Sequence, residues 1–176
     1  MTYGLVSVPD REVADIRRCS EVTKGSRGSY RARMIEQAVE NWHRVVAGDV
    51  SALADLLADD VVFYSPVVFT PQRGREITRL YLLGAAQVLG GGEFRYTKQV
   101  LAGRHAVLEF ETTVDDKHVN GVDIITCNDA GQILEFRVML RPLQAVNLVH
   151  QKMGELLAKQ WAAPIAVSQA VFEGPG

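Results

Sequence analysis

The stretch AGDVSALADLLADDVVFYSP, residues 47–66, decides the fold class of this chain. Gly48-Asp49 is a pair that ends one helix and begins another. The apolar residues that follow recur at helical spacing, and they are Val50, Leu53, Leu56 and Leu57. An Asp-Asp pair ends that short helix, and Val61–Tyr64 has the β-branched and aromatic composition of a strand that stops at Pro66. The stretch predicts a helix, a tight turn, a short helix and a strand in succession.

Periodicity outside this stretch predicts three longer helices and four more strands. The helices are Tyr30–Ala47, Gly74–Leu89 and Leu143–Trp161, and the strands are Phe94–Leu101, His105–Val114, Val119–Cys127 and Gln132–Leu140. In the last strand, regular alternation predicts an inward face of Leu134, Phe136, Val138 and Leu140. We therefore predict an α+β fold, in which a cone-shaped, curved antiparallel sheet wraps around three N-terminal helices and an extra C-terminal helix follows.

Glycine, serine and proline mark the two ends of this predicted core. Lys24–Ser29 has the composition of a linker, and the sequence closes on Glu173–Gly176. We therefore predict an N-terminal appendage at residues 1–29, the folded domain at residues 30–145, and a C-terminal helix and tail at residues 146–176.

Composition excludes several classes of protein. The chain has 176 residues, of which 47% are hydrophobic and 23% charged, as in an ordinary soluble domain. A net charge of −2 gives no basic surface for nucleic acid or an anionic membrane. Cys19 and Cys127 form no disulfide framework, and no Cys/His spacing indicates a metal site. We expect a cytoplasmic protein that needs no cofactor.

Three polar residues stand where the pattern predicts apolar surroundings. Asn41 lies on the apolar face of the first long helix, Asp123 interrupts an apolar strand, and Ser65 follows the first strand. A carboxyl group in an apolar pocket has a raised pKa, so Asp123 could act as a base or as a neutral hydrogen-bond donor. The alternative is a structural Asp that accepts from a backbone amide, a tyrosine or an arginine.

Other polar residues are predicted to be structural. His43 points away from the apolar face of its helix, so we predict a surface histidine there. Glu109, Glu111 and Arg137 share the outer face of the sheet by alternation. They predict a ladder of cross-strand ion pairs, at a dimer interface, rather than a catalytic set.

Residues 47–66 and 128–140 resemble the opening and the closing hairpin of ketosteroid isomerase-like proteins of the nuclear transport factor 2-like superfamily. Those enzymes use an Asp base together with a Tyr and a protonated Asp that bind the oxyanion. The resemblance places the protonated Asp at Asp123, the Tyr at Asn41 and the base at Ser65. A serine hydroxyl is no base near neutral pH without an activating partner, so the resemblance argues against steroid isomerisation by that mechanism.

Gly121-Val122-Asp123 and Val138–Leu143 resemble the SnoaL-like proteins of the same superfamily, over roughly residues 31–145. This resemblance implies an apolar pocket for a small hydrophobic molecule such as a terpenoid, polyketide or steroid-like compound. Two functions stay open: a cofactor-independent isomerase, cyclase, lyase or hydrolase that uses Asp123, or a non-catalytic ligand-binding or dimerisation module. In either case we expect a homodimer. The predicted lining is Met34, Ala38, Asn41, Trp42, Phe63, Ser65, Tyr81, Leu108, Phe110, Asp123, Ile125, Val138 and Leu140.

Overall fold

The structure, a computed structural model, describes residues 26–90 and 93–162. Most of the predicted appendage and the tail beyond residue 162 therefore lie outside the described residues. The elements in chain order are α1 (Ser26–Val46), a 3₁₀ turn (Val50–Ala52), α2 (Leu53–Leu56), β1 (Leu57–Tyr64), β2 (Gln72–Arg73), α3 (Arg75–Leu89), β3 (Arg95–Ala102), β4 (His105–Val114), β5 (Lys117–Cys127), β6 (Ile133–Arg141) and α4 (Leu143–Ala162).

The six strands form one curved, open sheet in the order β2-β1-β6-β5-β4-β3. Strands β3 to β6 form an antiparallel meander, as hairpin connections require. The pair of β1 and β6 is parallel, so the sheet is mixed where the sequence predicted antiparallel pairing throughout. The difference arises because a helix and four strands separate β1 from β6 in the chain, and such a long crossover permits either direction.

The α+β architecture with a C-terminal helix is confirmed, and the differences concern boundaries. Helix α1 begins at Ser26, within the predicted linker. Leu57, predicted to be helical, is the first residue of β1, so that strand takes in the Asp-Asp pair. β2 was not predicted because two residues are too few to show a period.

The residues that face the core are those predicted from the apolar–polar alternation in β4, but not all of those predicted in β6. Every second residue of β4 from Ala106 to Val114 is buried, as predicted. In β6, Ile133 is buried and Leu134 is only half-buried, opposite to the prediction. A register shift between Thr126 and Cys127 in the pairing of β5 with β6 explains this reversal, because an extra residue exchanges the two faces of a strand.

Helix α4 packs on the same core as the other described helices and the sheet. Its buried residues are Ala145, Val149, Met153 and Leu157. The boundary predicted between residues 145 and 146 therefore falls inside a helix that contacts α3, β5 and β6. None of the helices in the described part has the length and apolar character that a membrane crossing requires.

Gly121 allows a close approach between three strands of the sheet. A Cβ at this position would overlap the ring of Phe110 and come within 2.8 Å of Leu140 Cδ2. By contrast, a Cβ at Gly154, on the exposed side of α4, would meet no atom within 4 Å.

We expect Gly121→Ala to lower the free energy of unfolding by about 1–3 kcal/mol, because the added methyl group overpacks the core. The matched variant Gly154→Ala should raise it by about 0.5–1 kcal/mol, since alanine favours a helix more than glycine does. Urea denaturation of both variants measures these changes. A Gly121→Ala protein as stable as the wild type would contradict the close packing described here.

Candidate functional site

The concave face of the sheet and the three long helices border a cavity of about 450 Å³. Most of its wall is apolar. The larger apolar lining residues are Trp42, Val45, Phe63, Tyr81, Leu82, Leu89, Phe94, Phe110, Phe136, Val138, Leu140, Val149 and Met153. The lining side chains with a more polar character are His43, Ser65, Tyr96 and Asp123. Arg95 also borders the cavity, but its guanidinium group pairs with Glu111 on the outer face of the sheet.

Two hydrogen bonds join three of these lining residues in a row. The indole Nε1–H of Trp42 donates to the hydroxyl of Tyr96 over 2.6 Å. That hydroxyl in turn donates to Oδ2 of Asp123 over 2.7 Å. Asp123 is only 4% exposed, and its Oδ1 accepts no hydrogen bond from the described part of the chain. Oδ1 is therefore the carboxyl oxygen left for a molecule in the cavity.

The sheet brings Tyr96 and Asp123 together from strands that are not neighbours. Tyr96 on β3 is paired with Phe110 on β4, and Asp123 on β5 is paired with Leu108 on β4. Neighbouring strands lie about 5 Å apart, so the two side chains must bridge about 10 Å across β4. A tyrosine is long enough to reach across, and the inward curvature of the sheet shortens the distance further.

Burial controls the protonation of Asp123. Loss of solvation raises the pKa of this carboxyl group to about 7, and the hydrogen bond from Tyr96 opposes part of that rise. The pKa of the Tyr96 hydroxyl lies well above its usual range, because of burial first and the charge of Asp123 second. Near neutral pH, Asp123 therefore exists in both forms while Tyr96 keeps its proton.

His43 lies beside this chain of hydrogen bonds rather than in solvent. Its ring centroid is 5.0 Å from that of Tyr96, and it lines the cavity. Burial lowers the pKa of the imidazole, so the ring is neutral at pH 7. The buried Nε2 has no hydrogen-bond partner in the described residues. The prediction of a surface histidine at position 43 is therefore wrong, because the apolar face of α1 is wider than the helical wheel indicated.

Asn41 and Ser65 differ in their relation to the cavity. Asn41 is half-buried, lies outside the cavity wall and makes no hydrogen bond to the described side chains. Asn41 therefore does not bond Asp123, whose carboxyl group accepts from Tyr96 instead. Ser65 does line the cavity, and its Oγ accepts the backbone N–H of Val67 over 3.2 Å.

Eight of the thirteen predicted lining residues lie on the cavity wall, and they are Trp42, Phe63, Ser65, Tyr81, Phe110, Asp123, Val138 and Leu140. The other five do not, and they are Met34, Ala38, Asn41, Leu108 and Ile125. Ala38, Leu108 and Ile125 are fully packed in the core instead. Their side chains point inward as the periodicity indicated, but other residues cover them.

Tyr96 and His43 are the polar lining residues that sequence reasoning missed. A signal for Tyr96 was present, because Phe94 and Tyr96 alternate as inward residues of a strand do. That alternation is lost at the bulge that follows Tyr96, beyond which most of β3 is exposed. No comparable signal marked His43.

The outer face of the sheet carries charged pairs, with partners other than those predicted. Lys98 pairs with Glu109 over 2.5 Å, and Arg95 pairs with Glu111 over 2.9 Å. Arg137 instead stacks on the ring of Tyr64, with its guanidinium carbon 4.2 Å from the ring centroid. The glutamates therefore belong to a ladder between β3 and β4, away from the cavity.

Groups suited to metal binding or nucleophilic attack are scattered over the described residues. No three His, Cys, Asp or Glu side chains within residues 26–90 and 93–162 lie close enough to hold a metal ion. Cys127 is a buried free thiol at the end of β5, and burial raises its pKa. A thiol in that state is a weak nucleophile.

Solved structures of similar proteins share this fold. The chain is 33% identical to a steroid delta-isomerase from Pseudomonas aeruginosa, with a TM-score of 0.70 over 74% of this chain and 96% of that one. It is also 33% identical to an uncharacterised bacterial protein with a cystatin-like fold from Silicibacter pomeroyi DSS-3, with a TM-score of 0.66 over 70% and 87% of the two chains. SalBIII, an epoxide hydrolase/cyclase-like enzyme of pyran ring formation in salinomycin, is 19% identical, with a TM-score of 0.51 over 62% and 91%, and shows the fold alone.

None of the curated proteins matches the chain. The model of the SnoaL-like domain matches residues 35–136, which is more than half of the sequence. The match runs from α1 to β6 and includes the strands that carry Tyr96 and Asp123. The chain therefore belongs to the SnoaL-like family of the nuclear transport factor 2-like superfamily.

Proposed function

We propose that the cavity binds a small, mostly apolar molecule through one oxygen atom, and that Asp123 exchanges a proton with it. The observation that carries this proposal is a buried carboxyl group on a cavity wall that is otherwise largely apolar. A volume of about 450 Å³ lies within the range of small-molecule sites and suits a terpenoid, a polyketide or a steroid-like compound.

The pKa near 7 suits Asp123 to both directions of proton transfer. In the neutral form the carboxyl group can donate to a carbonyl or to a developing oxyanion. In the ionised form it can take a proton from the ligand and later return it to another atom. Isomerases, cyclases, lyases and hydrolases that work without a cofactor share this kind of step.

The similarity to the Pseudomonas aeruginosa protein, described as a steroid delta-isomerase, supports a ligand of this class. The mechanism must nevertheless differ from that of the ketosteroid isomerases, because of the residue at the position that the resemblance assigns to the catalytic base. Ser65 stands there, and its contact is with the backbone N–H of Val67 rather than with a group that could take its proton. Asp123 would therefore act as both acid and base.

A non-catalytic binding module is the second candidate, and one observation favours it. Among the described residues that line the cavity, Asp123 is the only carboxyl group. Acid–base enzymes commonly use two groups whose pKa values differ, and no second carboxyl group stands among these lining residues to pair with Asp123. A lone neutral acid would still bind a carbonyl group without turning it over.

The outer face of the sheet supports a homodimer. Val100, Val107 and Met139 are 62%, 40% and 53% exposed on this face. Val100 is paired with Val107, and Val107 with Ile124, so the apolar residues cross several strands. We propose that a second copy of this chain covers them, since exposed apolar residues in a group mark protein interfaces.

We also propose that the protein works in the cytoplasm, as expected from the sequence.

The raised pKa of Asp123 predicts a stability that depends on pH. Between the unfolded value of about 3.8 and the folded value of about 7, the folded state holds a proton that the unfolded state has lost. Asp123 therefore contributes fully to the free energy of unfolding below the unfolded pKa, and this contribution is lost as the pH rises to 7. His43 acts in the opposite sense, because its lowered pKa costs stability as the pH falls below 6.5.

We expect the stability difference between Asp123→Asn and the wild type to shift in favour of the variant by about 3 kcal/mol from pH 5 to pH 8, at about 1.4 kcal/mol per unit of pKa. His43 is present in both proteins and cancels in this difference. Urea denaturation at several pH values gives the measurement. A difference that does not change with pH would mean that Asp123 is ionised throughout.

Variants of Asp123 should separate the two candidate functions. We expect native mass spectrometry of the purified protein to detect a bound small molecule, and a panel of terpenoid, polyketide and steroid ketones to contain binders. For an enzyme, Asp123→Asn should keep binding and lose turnover by about 100-fold or more, because the amide donates a hydrogen bond but transfers no proton. Asp123→Leu should weaken binding about 10-fold.

Ser65→Ala is the matched control, since it removes another polar group from the cavity wall. Turnover by Asp123→Asn at the wild-type rate would rule out acid–base catalysis by Asp123. If Asp123→Leu binds the whole panel with wild-type affinity, a contact between Asp123 and the ligand is ruled out.

The dimer has its own test. We expect the wild type to sediment as a dimer, and Val107→Lys to sediment as a monomer, because a charge at the centre of the apolar group opposes its burial. Gln99→Lys, on the exposed strand β3, is the control for added charge. A wild type that is monomeric at 100 µM would contradict the proposed interface.

A further inference from the structure

The hydroxyl of Tyr96 stands between two partners, and one of them has a fixed role. The indole nitrogen of Trp42 can only donate a hydrogen bond. Because it lies 2.6 Å from the Tyr96 hydroxyl, that oxygen must accept there. The single proton of the hydroxyl is then directed to Oδ2 of Asp123, 2.7 Å away. Nε1 of Trp42, the hydroxyl of Tyr96 and Oδ2 of Asp123 each have a hydrogen-bond partner in that arrangement.

The reverse arrangement between Tyr96 and Asp123 would leave a donor without a partner. If neutral Asp123 donated from Oδ2 to Tyr96, the Tyr96 proton would have to point elsewhere. The ring neighbours of Tyr96 are His43, Phe94 and Phe110, and in the described residues its hydroxyl bonds only Trp42 and Asp123. A buried donor without an acceptor costs about 1–3 kcal/mol. The proton of neutral Asp123 therefore belongs on Oδ1.

We propose that Trp42 is a positioning residue whose indole N–H sets the direction of the Tyr96–Asp123 hydrogen bond, so that Asp123 meets the ligand through Oδ1 alone. This inference rests on the proposed function in so far as it concerns a ligand.

The inference adds a preference for one class of ligand, because the hydroxyl of Tyr96 has no proton to donate to the ligand. A ketone or an alcohol, whose oxygen makes one hydrogen bond with the carboxyl group, fits such a site. A carboxylate or a phosphate, which needs several donors, does not.

Because the ring of Trp42 is fixed by packing, the effect of its N–H group can be tested separately from that of the ring. Its ring meets that of Phe136 edge to face, with 4.7 Å between the centroids, so the indole plane is held independently of its hydrogen bond. The other titratable side chains on the cavity wall are His43 and Tyr81, and the nearby Arg95 guanidinium pairs with Glu111 on the outer face of the sheet. They are unchanged by a substitution that removes only the N–H.

Replacement of Trp42 by 3-benzothienylalanine keeps the two fused rings and substitutes sulfur for the N–H group. The chain has two tryptophans, so the exchange is made in full-length Trp161→Phe protein, and that background protein is the control. Tyr96→Phe, which removes the middle hydroxyl, is the second variant. Carbon-13 NMR of the Asp123 carboxyl group gives its titration midpoint in each protein without any ligand.

We expect the benzothienyl protein to titrate at a midpoint about 0.5–1 pH unit above its background, since a hydrogen bond contributes about 0.5–1.5 kcal/mol. The reason is that the Tyr96 hydroxyl, without the indole donor on its oxygen, is less polarised and is no longer fixed in direction, so it donates more weakly to ionised Asp123. Tyr96→Phe should also raise the midpoint, and thermal unfolding of each protein checks that the fold is kept. An unchanged midpoint in the benzothienyl protein, together with a raised one in Tyr96→Phe, would overturn the role of Trp42. An unchanged midpoint in both would overturn the hydrogen-bonded row itself.

A ligand experiment separates this inference from the proposed function. We use 2-acetylnaphthalene, an apolar ketone, and 2-naphthoate, a carboxylate of similar shape, as probes at pH 6, where most Asp123 is neutral and can donate to a ketone while the naphthoate is ionised. The ketone should bind at least 10-fold more tightly than the carboxylate to the background protein, and the ratio should fall in the benzothienyl protein, where the Tyr96 hydroxyl is free to donate. A ratio that is the same in both proteins would overturn the specificity assigned to Trp42. Failure of both probes to bind would count against the proposed function, whereas the titration, made without ligand, still decides whether Trp42 sets the hydrogen-bond direction.

Discussion

A carboxyl group buried in an apolar cavity is stable only with a hydrogen-bond donor close by. In this protein the concave face of the sheet provides that donor to Asp123. Tyr96 reaches Asp123 across strand β4, and Trp42 holds the tyrosine hydroxyl from helix α1. The row of two hydrogen bonds therefore ties a helix to two strands that are not neighbours. Gly121, on the same strand as Asp123, leaves room for the ring of Phe110, which packs edge to face against Tyr96 with 6.2 Å between the centroids.

The same row determines the chemistry that the site can perform. Desolvation favours the neutral carboxyl group, whereas the bond from Tyr96 favours the ionised one, and the balance leaves the pKa of Asp123 at about 7. With Oδ2 engaged by Tyr96, one oxygen is left to meet a ligand. His43, kept neutral by burial, adds no charge beside it. The site thus combines an acid near its midpoint with a mostly apolar wall, which suits neutral ligands more than anionic ones.

Membership of the SnoaL-like family defines the scaffold and leaves the reaction open, because one fold hosts many sites. Proteins described as a steroid delta-isomerase and as an epoxide hydrolase/cyclase-like enzyme share the architecture. The chemistry of a site on such a scaffold depends on the set of polar groups that the cavity wall carries. Here that set consists of Asp123 with its tyrosine and tryptophan, Ser65 bonded to a backbone amide, and a neutral histidine.

Local periodicity was sufficient to predict the types of the long elements, the inward face of β4 and the position of Asp123 in an apolar strand, because these depend on neighbouring residues of one element. The tertiary structure alone decided which inward residues reach the cavity. Asn41 and Trp42 are adjacent in sequence, yet only Trp42 lies on its wall, and His43 joins it, because the crossing of α1 over the sheet selects part of a wide helical face. Tyr96 became the partner of Asp123 through the register of three strands and a bulge, and both of these are set by packing between elements rather than by the pattern within one.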